Sequence, residues 1–184
     1  IFSLRNVPTA PLSTDLVTLL GALVGGPTAH CLGVIGAAQV DRRGNVNSSK
    51  VPQVGLYLVG SGGGNDVASV AEEVVVVARQ SPHRFVEQAP FVTSPGARVT
   101  TVITQCGVYR KPEPDGDLVL TGVFAAEGAV DAAVQVARDR CAWDLQVAPQ
   151  VERLPLPTED ELAALRAFDP TGYFRGKRDE SGGR

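Results

Sequence analysis

The stretch Gly60-Ser61-Gly62-Gly63-Gly64 bears most directly on chemistry in this sequence. It follows an apolar segment, so its main-chain N–H groups can approach a ligand without side chains in the way. Such a bend forms a nest for an anion or a developing oxyanion. A dinucleotide fingerprint fails here, because Gly60 and Gly62 are not followed by the third glycine of G-x-G-x-x-G. A Walker loop fails too, for want of a Gly-Lys-Ser or Gly-Lys-Thr ending. Two readings stay open: a loop that binds a thioester or stabilises an oxyanion, and a plain tight turn.

A second polar cluster, Asn45, Asn47, Ser48 and Ser49, follows Gly44. Carboxamides at the end of a parallel strand can donate into a site, or can simply make the turn. Thr93-Ser94-Pro95-Gly96 is a loop with a rigid proline. Ser94 as a nucleophile needs a base, and nothing in the sequence pairs it with His83. Glu72 and Glu73 open a strand and read as surface or ion-pair groups. The three cysteines, Cys31, Cys106 and Cys141, form no C-x-x-C pair, and with two histidines no metal site is expected. Reduced thiols in a cytoplasmic protein are the expectation.

The elements that must position these residues are strands alternating with helices. Leu12 to Val24 reads as a helix, with Ser13 or Thr14 as cap and Leu16, Leu19, Leu20 and Leu23 at helical spacing. Cys31 to Val40 reads as a buried strand of a parallel sheet, with close backbone approach at Gly33 and Gly36. Asp41 to Ser49 is a loop, Val54 to Val59 a short strand, and Val67 to Ala71 a short helix or turn. Val74 to Ala78 is a β-branched run expected to be covered on both faces. Further strands are expected at Phe85 to Val86, Val99 to Thr104 and Leu118 to Val123, with a turn over Lys111 to Asp117. Asp131 to Cys141 reads as a helix. Thr158 with Glu161 spells a capping box for a last helix through Phe168. The class is α/β.

The 184 residues carry a net charge of −3, with 43% hydrophobic and 5% aromatic residues. That balance gives no global pull toward nucleic acid or an anionic membrane, and no apolar run reaches the ~20 residues of a membrane span. The sequence begins with Ile1 and contains no methionine, so a processed, trimmed or partial chain is expected. One domain over residues 1–175 and a disordered tail over 176–184 are the expected organisation.

Three segments together carry a resemblance. Gly36-Ala37-Ala38-Gln39-Val40-Asp41-Arg42-Arg43-Gly44-Asn45-Val46-Asn47-Ser48, then Gly60-Ser61-Gly62-Gly63-Gly64-Asn65-Asp66, then Arg84-Phe85-Val86-Glu87 with Phe91-Val92-Thr93-Ser94-Pro95-Gly96, stand in the order and spacing of one family. The chain resembles the small (β) subunit of the glutaconate-type, family I CoA-transferases, from Cys31 to Phe174. The resemblance implies an open, mainly parallel sheet of the CoA-transferase and ribose-5-phosphate isomerase-like superfamily. It implies an α-subunit partner in a heteromer, with the active site at their junction. It implies no bound cofactor, with an acyl-CoA thioester and a carboxylic acid as substrates. By position, Asn47 would be a side-chain oxyanion donor, while Gly62, Gly63, Gly64, Asn65 and Ser94 would line the substrate and CoA site.

One departure matters. The family's nucleophilic glutamate stands in an E-S-G or E-N-G motif upstream of Gly36, and this sequence has no glutamate before Glu72. Glu180-Ser181-Gly182 spells the motif by chance at the C-terminus. The alternatives are a decarboxylase or ring-opening hydrolase of CoA thioesters on the same fold, or a structural β-like subunit without chemistry of its own.

Overall fold

A computed structural model describes residue 8, residues 10–170 and residue 172. By its internal contacts the chain divides into two units, residues 1–154 and 155–184. The expected tail over 176–184 lies outside the described residues.

The first unit is built on a six-stranded sheet. Its strands are β1 (Leu32–Ala37), β6 (Glu73–Ala78), β8 (Val99–Ile103), β9 (Gly107–Arg110), β10 (Val119–Phe124) and β11 (Gln146–Leu154), in that spatial order. β1, β6 and β8 run parallel, β9 is antiparallel to both its neighbours, and β10 with β11 is parallel again. The class is therefore α/β with a mostly parallel sheet, as the alternation of elements suggested. A small second sheet joins β2 (Gln39–Asp41), β3 (Val46–Asn47) and β7 (Phe85–Val86). A separate hairpin pairs β4 (Lys50–Val51) with β5 (Leu56–Tyr57). Two helices complete this unit, α1 (Gly64–Val70) and α2 (Val130–Asp139), preceded by a π-helical segment at Thr18–Val24.

The β-branched run of β6 occupies an inner position of the sheet. Val74 and Val76 are fully buried, and Val40, Val102, Tyr109, Leu118 and Leu120 join them in one core. Phe85 anchors it, stacked on Trp143 at 5.6 Å and tilted against Tyr109 at 5.4 Å. Burying one such ring contributes about 2–3 kcal/mol. A polar clamp ties the strand ends together. Gln80 Nε2 donates to the carbonyl of Ala137 in α2, and Gln80 Oε1 accepts from Tyr109 and from Thr104 Oγ1.

Several sequence expectations change here. The strand expected over Cys31 to Val40 is two strands in two sheets, broken at Ala38. β1 is an edge strand with only one face covered, leaving Leu32 57% and Val34 63% exposed. Val77 of β6 is likewise half exposed. Only Gly33 meets a neighbour closely: a β-carbon there would lie 2.5 Å from Val67 Cγ1, whereas Gly36 faces open space. The polar loop after Asp41 is a hairpin that closes through β3. The segment Val54 to Val59 is mostly non-strand, and α1 starts at Gly64 rather than at Val67. β11 has no counterpart among the expected strands. At the first helix, Asp15 takes over the expected capping by Ser13 or Thr14, accepting from Thr18 N and Thr18 Oγ1, each at 2.9 Å.

In the second unit α3 (Glu159–Phe168) opens on the expected capping box. Thr158 Oγ1 accepts from Glu161 N, while Glu161 Oε2 accepts from Thr158 N. Hydrogen bonds from Thr158 N and Thr158 Oγ1 to Glu161 Oε2 hold the pKa of that carboxyl below its ordinary value.

Candidate active site

A cavity of about 330 Å³ opens where β1 ends. Its floor is Ile35 and Gly36, one wall is Ser48, Thr93 and Ser94, and the other is Val59, Gly60, Ser61 and Gly64. The walls come from segments distant in sequence, so their positions rest on two welds.

The first weld is centred on Asp41, which is buried. Its carboxylate accepts from Arg43 N at 3.0 Å, Asn45 N at 2.9 Å, Asn45 Nδ2 at 3.0 Å and Ala89 N at 3.2 Å. Asn45 Oδ1 then accepts from Gly96 N, and Val46 and Ser94 exchange both main-chain bonds. Lys111 closes the loop by donating to the carbonyls of Gly96, at 2.5 Å, and Arg43, at 3.2 Å. Burial lowers its ammonium pKa from the ordinary value.

The second weld is Asn47, fully buried on β3. Nδ2 donates to Gln39 Oε1 at 2.8 Å and to the Lys50 carbonyl at 2.7 Å, and Oδ1 accepts from Ser49 N and Lys50 N. Both amide hydrogens are thus already engaged, and Asn47 does not line the cavity. The motif resemblance implies an oxyanion donor at this position. The geometry puts it behind the wall instead, where it sets the positions of Ser48, Ser49 and Thr93. Thr93 Oγ1 accepts from Ser48 N at 2.9 Å and donates to Ser49 Oγ at 3.0 Å.

Of the other sequence candidates, Ser94 and Gly64 meet at the cavity. Ser94 is 2% exposed, and among the described residues its hydroxyl has no hydrogen-bond partner. Gly62 and Gly63 form the outer part of the bend rather than the lining. Gly64 N donates to Ser61 O, while the N–H groups of Gly62 and Gly63 have no partner among the described residues. Asn65 lies in the first turn of α1, off the cavity, and its Oδ1 is buried without a partner among the described residues. His83 lines a different pocket from Ser94, so the two form no nucleophile–base pair. Thr93 and Ser48 also line the cavity. Both belong to segments that the sequence marks, the polar cluster after Gly44 and the Thr93–Gly96 loop, although neither is assigned a role there.

Exposed apolar side chains flank the bend. Leu20 packs near Gly63, and Leu16 and Val17 on the same helical segment are 71% and 83% exposed. On the other side Tyr57 is 69% and Val59 59% exposed. Among the described residues no helix is long and apolar enough to cross a membrane.

No family model matches the chain. It is 35% identical to the β subunit of glutaconate CoA-transferase from Acidaminococcus fermentans, over 76% of this chain and 58% of that protein. It is 28% identical to the β subunit of 3-oxoadipate CoA-transferase from Pseudomonas knackmussii, over 75% of this chain and 58% of that protein. The chain is a relative of the CoA-transferase β subunits. It spans 58% of the length of these two relatives. Solved structures of low identity share its fold. The glutaconate coenzyme A-transferase of Acidaminococcus fermentans has a TM-score of 0.65 at 24% identity, over 78% of this chain and 60% of that one. The decarboxylase AibA/AibB has a TM-score of 0.68 at 23% identity, over 89% of this chain and 66% of that one. The relationship to the β subunits and the sheet topology thus agree with the resemblance seen in the three motifs.

Proposed function

We propose that this chain is the β-type subunit of a CoA-transferase-like enzyme, acting on an acyl-CoA thioester together with an α-type partner and a carboxylic acid. The observation that carries the reading is the unpartnered Ser94 hydroxyl facing a glycine-built wall across a small cavity. Attack on a thioester carbonyl creates a tetrahedral oxyanion, and preorganised donors aimed at it supply about 3–4 kcal/mol each. In the lining Ser94 Oγ is the donor this chain offers, and the unused N–H groups of Gly62 and Gly63 belong to the outer part of the bend. Asn47 serves as their support, and the CoA thioester is substrate rather than bound cofactor. Such a substrate makes the cytoplasm, where CoA thioesters are metabolised, the location of the enzyme in this proposal.

The lining holds no carboxylate among the described residues. A transferase nucleophile therefore comes from outside these walls. The exposed apolar side chains on both flanks of the bend support a second polypeptide closing the site. The same cleft supports the second reading, decarboxylation or hydrolysis of a CoA thioester without a glutamyl intermediate, because the AibA/AibB decarboxylase shares the fold.

The test uses the assembled complex with its α-type partner. CoA transfer from an acyl-CoA to a free acid is measured, with borohydride trapping of a thioester formed on the protein. Transfer with trapping supports the transferase, and turnover without trapping moves the assignment to the decarboxylase or hydrolase. Absence of any thioester chemistry, or undiminished turnover in a Ser94→Ala variant, rejects the reading.

A further inference from the structure

We propose that this chain carries a second ligand site, for the carboxylate of an aliphatic acid, in the groove between the β4–β5 hairpin and the Pro82–Pro90 segment. The groove has a volume of about 550 Å³, within the range of small-molecule sites. Its floor is aliphatic: Val51, Val54, Leu56, Leu58 and Val86 line it. Val54 is 72% and Leu56 48% exposed, so this apolar surface is in contact with water rather than packed.

The polar groups of the groove differ in availability. Gln39 is spent, since its Oε1 accepts from Asn47 and its Nε2 donates to the His83 carbonyl. Arg84 is not. Its main chain is fixed at both ends, with N donating to Ser81 O at 2.9 Å and O accepting from Val40 N at 2.8 Å. Its guanidinium has no ion pair among the described residues, unlike Arg42 with Asp117 or Arg166 with Glu159. Lys50, the first residue of β4, sits over the Phe91 ring and is engaged there.

An aliphatic floor with one free, backbone-anchored guanidinium matches an unbranched chain that carries a single negative charge. The guanidinium fork donates to both oxygens of a carboxylate in one plane. The alkyl chain then covers Leu56 and Leu58 and removes their exposed surface from water. Gln53, His83 and Gln88 also line the groove, but none of their side chains makes a hydrogen bond among the described residues, so the fixed donors that a nucleotide or a polyphosphate needs are missing. The site is separate from the glycine-bend cavity and does not depend on the role given to that cavity. Leu58 lines the groove, and Val59, the next residue, lines the cavity.

The test is a titration of the complex assembled with the α-type partner, with this chain alone methyl-labelled, against sodium octanoate, followed by the NMR methyl signals of this chain's valines and leucines. Saturable shifts at Val54, Leu56, Leu58 and Val86 are expected, and Arg84→Gln should weaken the affinity about tenfold by removing a charge-assisted pair. The Arg84 side chain holds no structural bond, so that variant keeps the fold. Octanol, with the same tail and no charge, should bind native chain and variant equally. No saturable shift, an Arg84→Gln affinity equal to the native one, or shifts confined to Val59 would each overturn the proposal.

Discussion

A methyl group placed on Gly64 would lie 3.6 Å from Ser94 Oγ, so the glycine wall and the free hydroxyl are separated by a gap that a single methyl group would fill. Gly64 has helical backbone geometry as the first residue of α1, so alanine fits there without strain. Gly64→Ala should keep or slightly raise the thermal midpoint and leave turnover within a few-fold. A branched residue is different. Gly64→Val pushes two methyl groups toward Ser94 and should cut turnover at least tenfold, with the fold intact by circular dichroism. Equal rates for both variants would show that the gap between these residues is not where substrate sits.

Gly62 differs from Gly64 although the two are nearly adjacent. Its φ is +54°, and a β-carbon there meets nothing within 4 Å. Space is available but conformation is not, since L-residues occupy that region at a cost of about 1 kcal/mol. Gly62→Ala should lower stability by about that amount in urea denaturation, while Gly62→Asn should lose less. If alanine proves neutral, the bend is not held in the left-handed form.

Asn47 supports the wall rather than donating into the cavity. Replacing it by alanine removes the bonds to Gln39, Lys50 and Ser49 and strands the buried Ser49 N–H and the part-buried Gln39 Oε1. The expected cost is about 2–4 kcal/mol of stability. An oxyanion donor facing solvent would show the opposite pattern, a large loss of turnover at unchanged stability. Measuring both quantities on Asn47→Ala separates these roles.

Much of this arrangement is legible in the sequence where local chemistry decides it. The β-branched run Val74 to Ala78 reads as an inner strand, Thr158 with Glu161 reads as a helix cap, and the polyglycine bend announces an open backbone. What is not legible depends on pairing across distance. Asn47 is buried because the β2–β3 hairpin sets it opposite Gln39, a register that no single segment states. β11 escapes detection because Pro149 lacks a main-chain donor and its polar neighbours break the apolar alternation; such a sequence is tolerated at the sheet edge, where one side of the strand needs no partner. β1 has the composition of an interior strand, yet its outer edge and one face are uncovered in this chain.

Lys111 offers a test of the loop that carries Ser94. Its ammonium grips the Gly96 and Arg43 carbonyls and makes no ion pair among the described residues. Lys111→Met keeps the aliphatic stem and removes both bonds, so stability should fall by about 1–2 kcal/mol. Turnover should fall further than stability explains, because Ser94 is two residues from the released carbonyl. A stability loss with undiminished kcat would mean that Ser94 holds its place without this grip.

Stability should decline as pH rises above about 9, and two acids shielded by burial give the sign. Burial pushes the Cys141 thiol from its ordinary value up to about 11. Burial likewise raises the Tyr109 phenol above its ordinary value. Between the unfolded and folded values the unfolded chain has lost the proton and the folded chain still binds it. The slope of unfolding free energy against pH is then negative. The full contribution is present below pH 9 and is lost through the window from 9 to 11 for Cys141, with Tyr109 adding a decline that begins near pH 10. Allowing for the partial exposure of Cys141, its loss is on the order of 2 kcal/mol. Urea midpoints taken from pH 7 to pH 11 check this, with Cys141→Ala flattening the earlier part of the decline and Tyr109→Phe the later part. A profile that stays level to pH 11 in the native chain would mean that neither group is shielded from water in the folded state.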